Sequence, residues 1–177
     1  SSQSLDLTIP GRVLAFAFLR TYNSANLDDG PLGVGWTHSY NLAVTQESQT
    51  TFLVRNAEGR LDRFTRQADG SYLAPPGVYN AFTQNGDGSF TLQLKDQTRY
   101  LFGASGALAS IVDKNGNALT LSYTGGKLTS LTDTVGRAIT FTYSANRLTG
   151  ITDFSSPPRT VTFTYGADGL LASATDP

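Results

Sequence analysis

Apolar and polar positions alternate along the C-terminal half of the chain. Ile139, Phe141 and Tyr143 are separated by Thr140 and Thr142, and Val161, Phe163 and Tyr165 by Thr162 and Thr164. A period of two in β-branched and aromatic residues predicts half-buried strands. Asp113-Lys-Asn115-Gly116-Asn117, Asp133-Thr-Val-Gly136 and Tyr165-Gly166-Ala-Asp168-Gly169 break the alternation. These are turn residues: Gly and Asn tolerate positive φ, and Asp bonds its own downstream backbone. Two strands and two tight turns make a hairpin. Hairpins in series with short links pair with their neighbours and build one antiparallel sheet.

The hairpins repeat. Gly106-Ala-Leu108-Ala-Ser-Ile111-Val-Asp113 aligns with Gly126-Lys-Leu128-Thr-Ser-Leu131-Thr-Asp133, then with Asn146-Arg-Leu148-Thr-Gly-Ile151-Thr-Asp153 and Gly169-Leu-Leu171-Ala-Ser-Ala174-Thr-Asp176. The closing Asp residues are 20, 20 and 23 positions apart. Tyr123, Tyr143 and Tyr165 end the strands between them, each followed after 10 or 11 residues by the next Asp. The equivalent positions are thus Asp113, Asp133, Asp153 and Asp176, with Leu108, Leu128, Leu148 and Leu171. Residues 106–177 are read as repeats of about 20 residues that stop, at Asp176-Pro177, inside an unfinished unit.

Residues 51–105 read as less regular hairpins. Short strands are expected at Arg60–Phe64, Ser71–Ala74, Ser89–Leu94 and Thr98–Phe102, with Pro75-Pro76-Gly77 as a loop. No segment offers a helical period over three turns. Residues 1–50 stand apart. Pro10–Ser24 reads as one long strand, a Gly/Asp-rich loop follows, and then comes Gly35-Trp36-Thr-His38-Ser-Tyr40. This segment is expected to cap the open end of the repeat sheet with its aromatics, since the terminal units of a repeat array must differ from internal ones.

Composition narrows the classes. Of 177 residues only 15% are charged, and the net charge of −1 leaves no electrostatic footprint for nucleic acid or an anionic membrane. No apolar run approaches a membrane span, and residues 1–20 lack the layout of a signal peptide. With no Cys the chain has no disulfide, thiolate metal site or thiol nucleophile. The absence of Met and the opening Ser1-Ser2-Gln3-Ser4 suggest a processed product or a piece of something longer.

Candidate chemistry is sparse. His38 is the one imidazole, and no Gly-x-Ser-x-Gly elbow accompanies it. Ser39, adjacent on a strand, would point to the other face, so His38 and Trp36 are read as structural. Asp113, Asp133 and Asp153 would stack at similar heights in an in-register sheet, as a glycosidase pair requires. Each also sits where Asp caps a turn, which is the reading preferred, and no calcium loop has its spaced ligands. Tyr123, Tyr143 and Tyr165 recur on the apolar face with Leu121, Phe141 and Phe163, so they are read as a buried stripe before a sugar platform. No cofactor or metal is expected.

Arg20-Thr-Tyr22-Asn-Ser24, Gly30-Pro-Leu-Gly33, Gly35-Trp36-Thr-His38-Ser-Tyr40 and the Tyr…Gly-x-Leu-x-Ser-Ile-x-Asp units together resemble RHS (rearrangement hotspot) proteins, whose units are also called YD repeats. The first 40 or so residues are similar to the domain preceding the repeats in bacterial polymorphic toxins, and Arg20, Tyr22, Trp36, His38 and Tyr40 carry that likeness. The resemblance implies an all-β fold of antiparallel hairpin repeats in a curved or spiralling sheet, part of a shell around a toxin. It implies a non-enzymatic structural module, secreted or at the cell surface of a bacterium, whose partners are the rest of the shell and its cargo. The alternative is a surface module binding carbohydrate or protein, which needs planar aromatics and amides on one exposed face; a face of Thr and Ser alone would count against it. Self-association through the sheet edge near Leu170–Thr175 is also expected, because that segment holds no Lys, Pro or bulge to blunt it.

Overall fold

The structure is a computed structural model that describes residues 2–9 and 14–176. Its strands are β1 (Ser2–Ile9), β2 (Phe16–Tyr22), β3 (Asp29–Gly30), β4 (Gly33–Val34), β5 (Trp36–His38) and β6 (Ala43–Gln46). Next come β7 (Thr51–Arg55), β8 (Leu61–Arg66), β9 (Tyr72–Leu73), β10 (Ala81–Gln84), β11 (Phe90–Gln93) and β12 (Arg99–Phe102). The repeats supply β13 (Leu108–Val112), β14 (Ala118–Thr124), β15 (Lys127–Asp133), β16 (Ala138–Ser144), β17 (Arg147–Thr152), β18 (Thr160–Tyr165) and β19 (Leu171–Thr175). No helix occurs among the described residues.

The fold is all-β and built from antiparallel hairpins, as the alternation predicts. Strands β10 to β19 follow one another in chain order in a ten-stranded sheet, β6 to β9 do the same in a four-stranded one, and β1, β2 and β5 form a third. The chain divides into two compact units, residues 1–39 with 121–177 and residues 40–120. This differs from the division read from sequence pattern at 50 and 105, because the first 39 residues fold together with the later repeats.

In the first unit the cap lies on the face of the repeats. Phe18 is fully buried, with its ring 6.1 Å from both Phe141 and Phe163. Leu128, Leu131, Leu148, Ile151 and Val161 complete this core. The cap aromatics thus cover an apolar face rather than an open end. In the second unit Phe52, Phe64, Phe82 and Phe90 cluster with ring centroids 5.0–5.8 Å apart. Each such ring contributes about 1.5–3 kcal/mol on burial.

Several strands differ from the sequence reading. The strand expected over Pro10–Ser24 begins at Phe16 and ends at Tyr22, while residues 10–13 lie outside the described residues. Its end is set by Asn23, whose side chain accepts the Ala25 amide at 3.0 Å and turns the chain away. Strands β6, β7 and β10 escape a pattern search because each has only one or two buried apolar positions: Val44, Phe52 with Val54, and Phe82.

One turn serves most of the hairpins. Between β13 and β14 the Gly116 amide donates to Asp113 O at 3.1 Å and the Asp113 amide to Asn117 O at 2.9 Å. Gly116 takes φ +85°, the three-residue loop with a left-handed final residue. A Cβ at Gly116 would meet nothing within 4 Å, whereas one at Gly106 would lie 2.0 Å from the Val44 carbonyl. Here the missing side chain admits a neighbouring backbone, and the Val44 amide donates to Gly106 O at 2.8 Å.

The other hairpin ends carry bulges. Register shifts opposite Phe102, Tyr143 and Tyr165 leave Ala109, Thr149 and Ala172 as the extra residues. The Thr149 hydroxyl donates to Thr142 O at 3.2 Å, and Thr129, its counterpart one repeat earlier, to Ser122 O at 3.1 Å. The expectation that Leu170–Thr175 holds no bulge is therefore corrected: Ala172 is one, part of the repeat itself.

Candidate functional site

The repeat aspartates are turn locks. Asp113 accepts the Asn115 and Asn117 amides at 2.8 and 2.9 Å and the Asn117 side chain at 2.8 Å. Asp133 accepts the Val135 and Arg137 amides at 3.0 and 2.9 Å, and Arg137 Nε at 2.7 Å. Asp153 takes the Ser155 and Arg159 amides, the Ser155 hydroxyl at 2.5 Å and Arg159 Nε at 2.7 Å. The Asn117 side chain, with the turn amides, holds the Asp113 carboxyl below its ordinary value. For Asp133 and Asp153 burial pushes upward, but the hydrogen bonds outweigh it and hold both low, Asp153 well below the usual carboxylate range. Every carboxylate oxygen at these three positions already has a protein donor. Asp176, one repeat further, is exposed.

The tyrosines stand at the rim of the apolar face. Tyr123 is 37% exposed and Tyr143 and Tyr165 are half-buried, so the buried stripe expected from alternation is only partly buried. Each occupies the last inward position of its strand, two residues beyond buried Leu121, Phe141 or Phe163. Burial pushes all three phenols up to about 12. Lys127 lies 5.9 Å above the Tyr143 ring and Arg147 lies 6.0 Å above that of Tyr165. Leu108, Leu128 and Leu148 are buried, and Leu171 is half-buried in the last strand.

The cap residues form a compact network in the first unit. Arg20 is 8% exposed and pairs with buried Asp6, Nη2 to Oδ1 at 2.7 Å, with a second contact from Nε to Oδ2. The guanidinium lies 5.1 Å over Trp36 and 5.7 Å over Phe163. Tyr22 packs on Trp36 at 5.1 Å and is 37% exposed. His38 is 3% exposed, with its ring stacked 5.0 Å from Phe18. Ser39 turns its hydroxyl to Ala17 O at 2.8 Å. Tyr40, in the second unit, is 5% exposed.

One constellation lies outside the sequence reading. The short hairpin β3–β4 seats on β17 and the residues around it. Asp29 pairs with Arg147 Nη2 at 2.7 Å, and Arg147 Nη1 donates to Gly30 O at 3.1 Å. The Leu148 amide donates to Pro31 O at 2.8 Å, and Leu32 at the hairpin tip is fully buried. The Tyr165 hydroxyl donates to Leu148 O at 2.5 Å and lies 3.3 Å from Pro31 O. The signal available in the sequence was slight: Arg147 stands where the preceding repeat has Lys127.

In the second unit a shallow cleft is lined by Arg60, Tyr79, Asn80, Lys95 and Asp96. Its cations are engaged, Lys95 3.8 Å over the Tyr79 ring and Arg60 on Asp62 at 2.8 Å. Among the described residues no group of three His, Cys, Asp or Glu side chains is placed to hold a metal.

These contacts lock turns, stack rings and seat a short hairpin. Residues 124–156 match the RHS repeat, and residues 1–64 match a domain of unknown function, DUF6531. Over 119 residues the chain is 37% identical to the tRNA3(Ser)-specific nuclease WapA of Bacillus spizizenii and to the tRNA nuclease WapA of Bacillus subtilis strain 168. The matched stretch covers 67% of this chain and 5% of each of those proteins.

Proposed function

The chain belongs to the RHS-repeat proteins, and from that membership we propose that it is a non-enzymatic wall module that encloses or displays a toxin domain. The observation that carries the reading is the division of the repeat strands into two faces. In the first unit one face is an apolar layer from Leu121 to Phe163, and the other presents the exposed side chains of Thr140, Thr142, Thr160, Thr162 and Thr164. Hairpins that pair in chain order extend such a layer without limit, and backbone ladders make it stiff. Seclusion is then steric: the wall keeps its cargo from solvent and from other proteins until release. The module works outside the producing cell, secreted or held at its surface.

The nuclease activity in the names of the relatives belongs, in this reading, to parts of those proteins beyond the matched stretch. In this chain the repeat carboxylates are consumed by turns and His38 by stacking on Phe18. The partners are the further repeats of the wall and the cargo. A glycan-binding role needs an aromatic platform on the exposed face, and Thr and Ser occupy those positions instead.

Two measurements test the proposal. A full-length protein containing this module should protect its terminal domain from protease until the repeats are unfolded; cleavage as fast as that of the isolated domain would refute enclosure. The 177-residue chain should leave tRNA intact over hours, and cleavage that survives repurification would overturn the non-enzymatic reading.

A further inference from the structure

We infer that Arg147 is the positioning residue that fixes the N-terminal hairpin β3–β4 to one repeat and not to its neighbour. The inference rests on the geometry of the first unit alone and holds whether or not the wall encloses a cargo. Two successive repeats offer the same frame. Lys127-Leu128 precedes Tyr143 as Arg147-Leu148 precedes Tyr165, and each cation lies about equally far above its tyrosine, 5.9 and 6.0 Å. Only the second frame holds the hairpin.

The difference is in donor geometry. Arg147 spreads three donors over acceptors that no single point can reach: Asp29 Oδ1 at 2.7 Å, Gly30 O at 3.1 Å and Gly169 O at 3.2 Å. The last belongs to the turn of the following hairpin, so the guanidinium joins the N-terminal segment to two elements of the array. A planar fork suits this, and an ammonium does not. Lys127 spends its ammonium locally, on the carbonyl of Ala145 in the next turn. With Arg147 in place, the Leu148 amide reaches Pro31 O and Leu32 enters the core. The fit is close on the far side too, since a Cβ on Gly33 would lie 3.2 Å from Gly169 O.

Native-state hydrogen exchange reads this directly, because the Leu148 amide is bonded to the hairpin itself while neighbouring strand amides are bonded within the sheet. Arg147→Lys and Asp29→Asn, which attack the contact from opposite sides, should each lower Leu148 protection by about tenfold or more, leaving Ile151 and Val161 within about twofold of the parent. The double variant should lose no more than the worse single one, and Lys127→Arg should leave Leu148 as it was. Unchanged protection at Leu148 in Arg147→Lys, or an equal loss at Ile151 and Val161, would show that Arg147 supplies general stability and selects nothing.

Discussion

The carboxylate of Asp153 holds both the amide and the guanidinium of Arg159, at 2.9 and 2.7 Å, across a step of six residues that Asp133 spans in four to Arg137. One side chain thus closes a loop two residues longer than its counterparts.

Replacing it should therefore be costly. Asp153→Asn removes the charge of a buried acceptor that gathers four donors and should cost about 1–3 kcal/mol at neutral pH. The wild-type carboxyls at 113, 133 and 153 are all held below their ordinary value in the fold. Their stabilisation is complete above the unfolded value near about pH 4 and is lost as pH falls through the depressed folded values. Urea titrations should show stability flat from about pH 7 to 5 and falling below about pH 4, with a shallower fall in Asp153→Asn. An identical acid slope in the variant would contradict this.

The alkaline side has the opposite sign. Tyr123, Tyr143 and Tyr165 have phenols raised to about 12, so folding favours their neutral form. Their contribution is present below the unfolded value near about 10 and disappears as pH rises through 12. Ultraviolet titration of phenolate should show part of the tyrosine absorbance change delayed to about pH 12 and coincident with unfolding. Titration of all eight tyrosines in one step near pH 10 would contradict it.

Repeat equivalence predicts matched costs in the core. Leu128 and Leu148 are 5% and 0% exposed, so Leu→Ala at either should cost about 2–5 kcal/mol. Leu171→Ala, in half-buried surroundings, should cost less than either. Denaturant midpoints separate the three, and a negligible cost at 128 beside a severe one at 148 would mean that the units differ.

Two turn glycines should behave differently. Gly116→Ala meets open space and pays only for a left-handed residue, about 1–2 kcal/mol. Gly106→Ala pays the same and also collides with the Val44 carbonyl, so it should be the more destabilising of the two by a clear margin in thermal melts.

The 177-residue chain should self-associate through the outer edge of β19, where Ser173 and Thr175 are exposed and no charge intervenes before Asp176. Light scattering over a wide concentration range should show growth in the parent and its suppression in Thr175→Lys, a charge of the kind that blunts natural edges. A parent that stays monomeric at high concentration would mean that the Ala172 bulge already protects the edge.

The repeat strands were legible because their information is local: alternation of Phe141 with Thr142, and Gly at the third turn position, lie within a few residues. Even there Gln97 adopts φ +70° and Ala145, between β16 and β17, φ +49°, so composition alone understates the turns. The seat of the hairpin was not legible, since Asp29 and Arg147 meet across more than a hundred residues of chain and neither is unusual in its own neighbourhood. The rim position of Tyr123 was missed for a related reason: period two gives the side of a sheet but not how far the neighbouring element extends over it.

The hydroxyl-bearing outer face has a further implication for growth by repetition. Residues 106–125 carry one acid and one base, 126–145 one acid and two bases, and 146–168 two of each. Solubility there comes from groups that do not ionise, so each added hairpin is close to electroneutral. A sheet of this kind can lengthen many times over without accumulating the self-repulsion that limits a highly charged assembly, and its hydration changes little with salt.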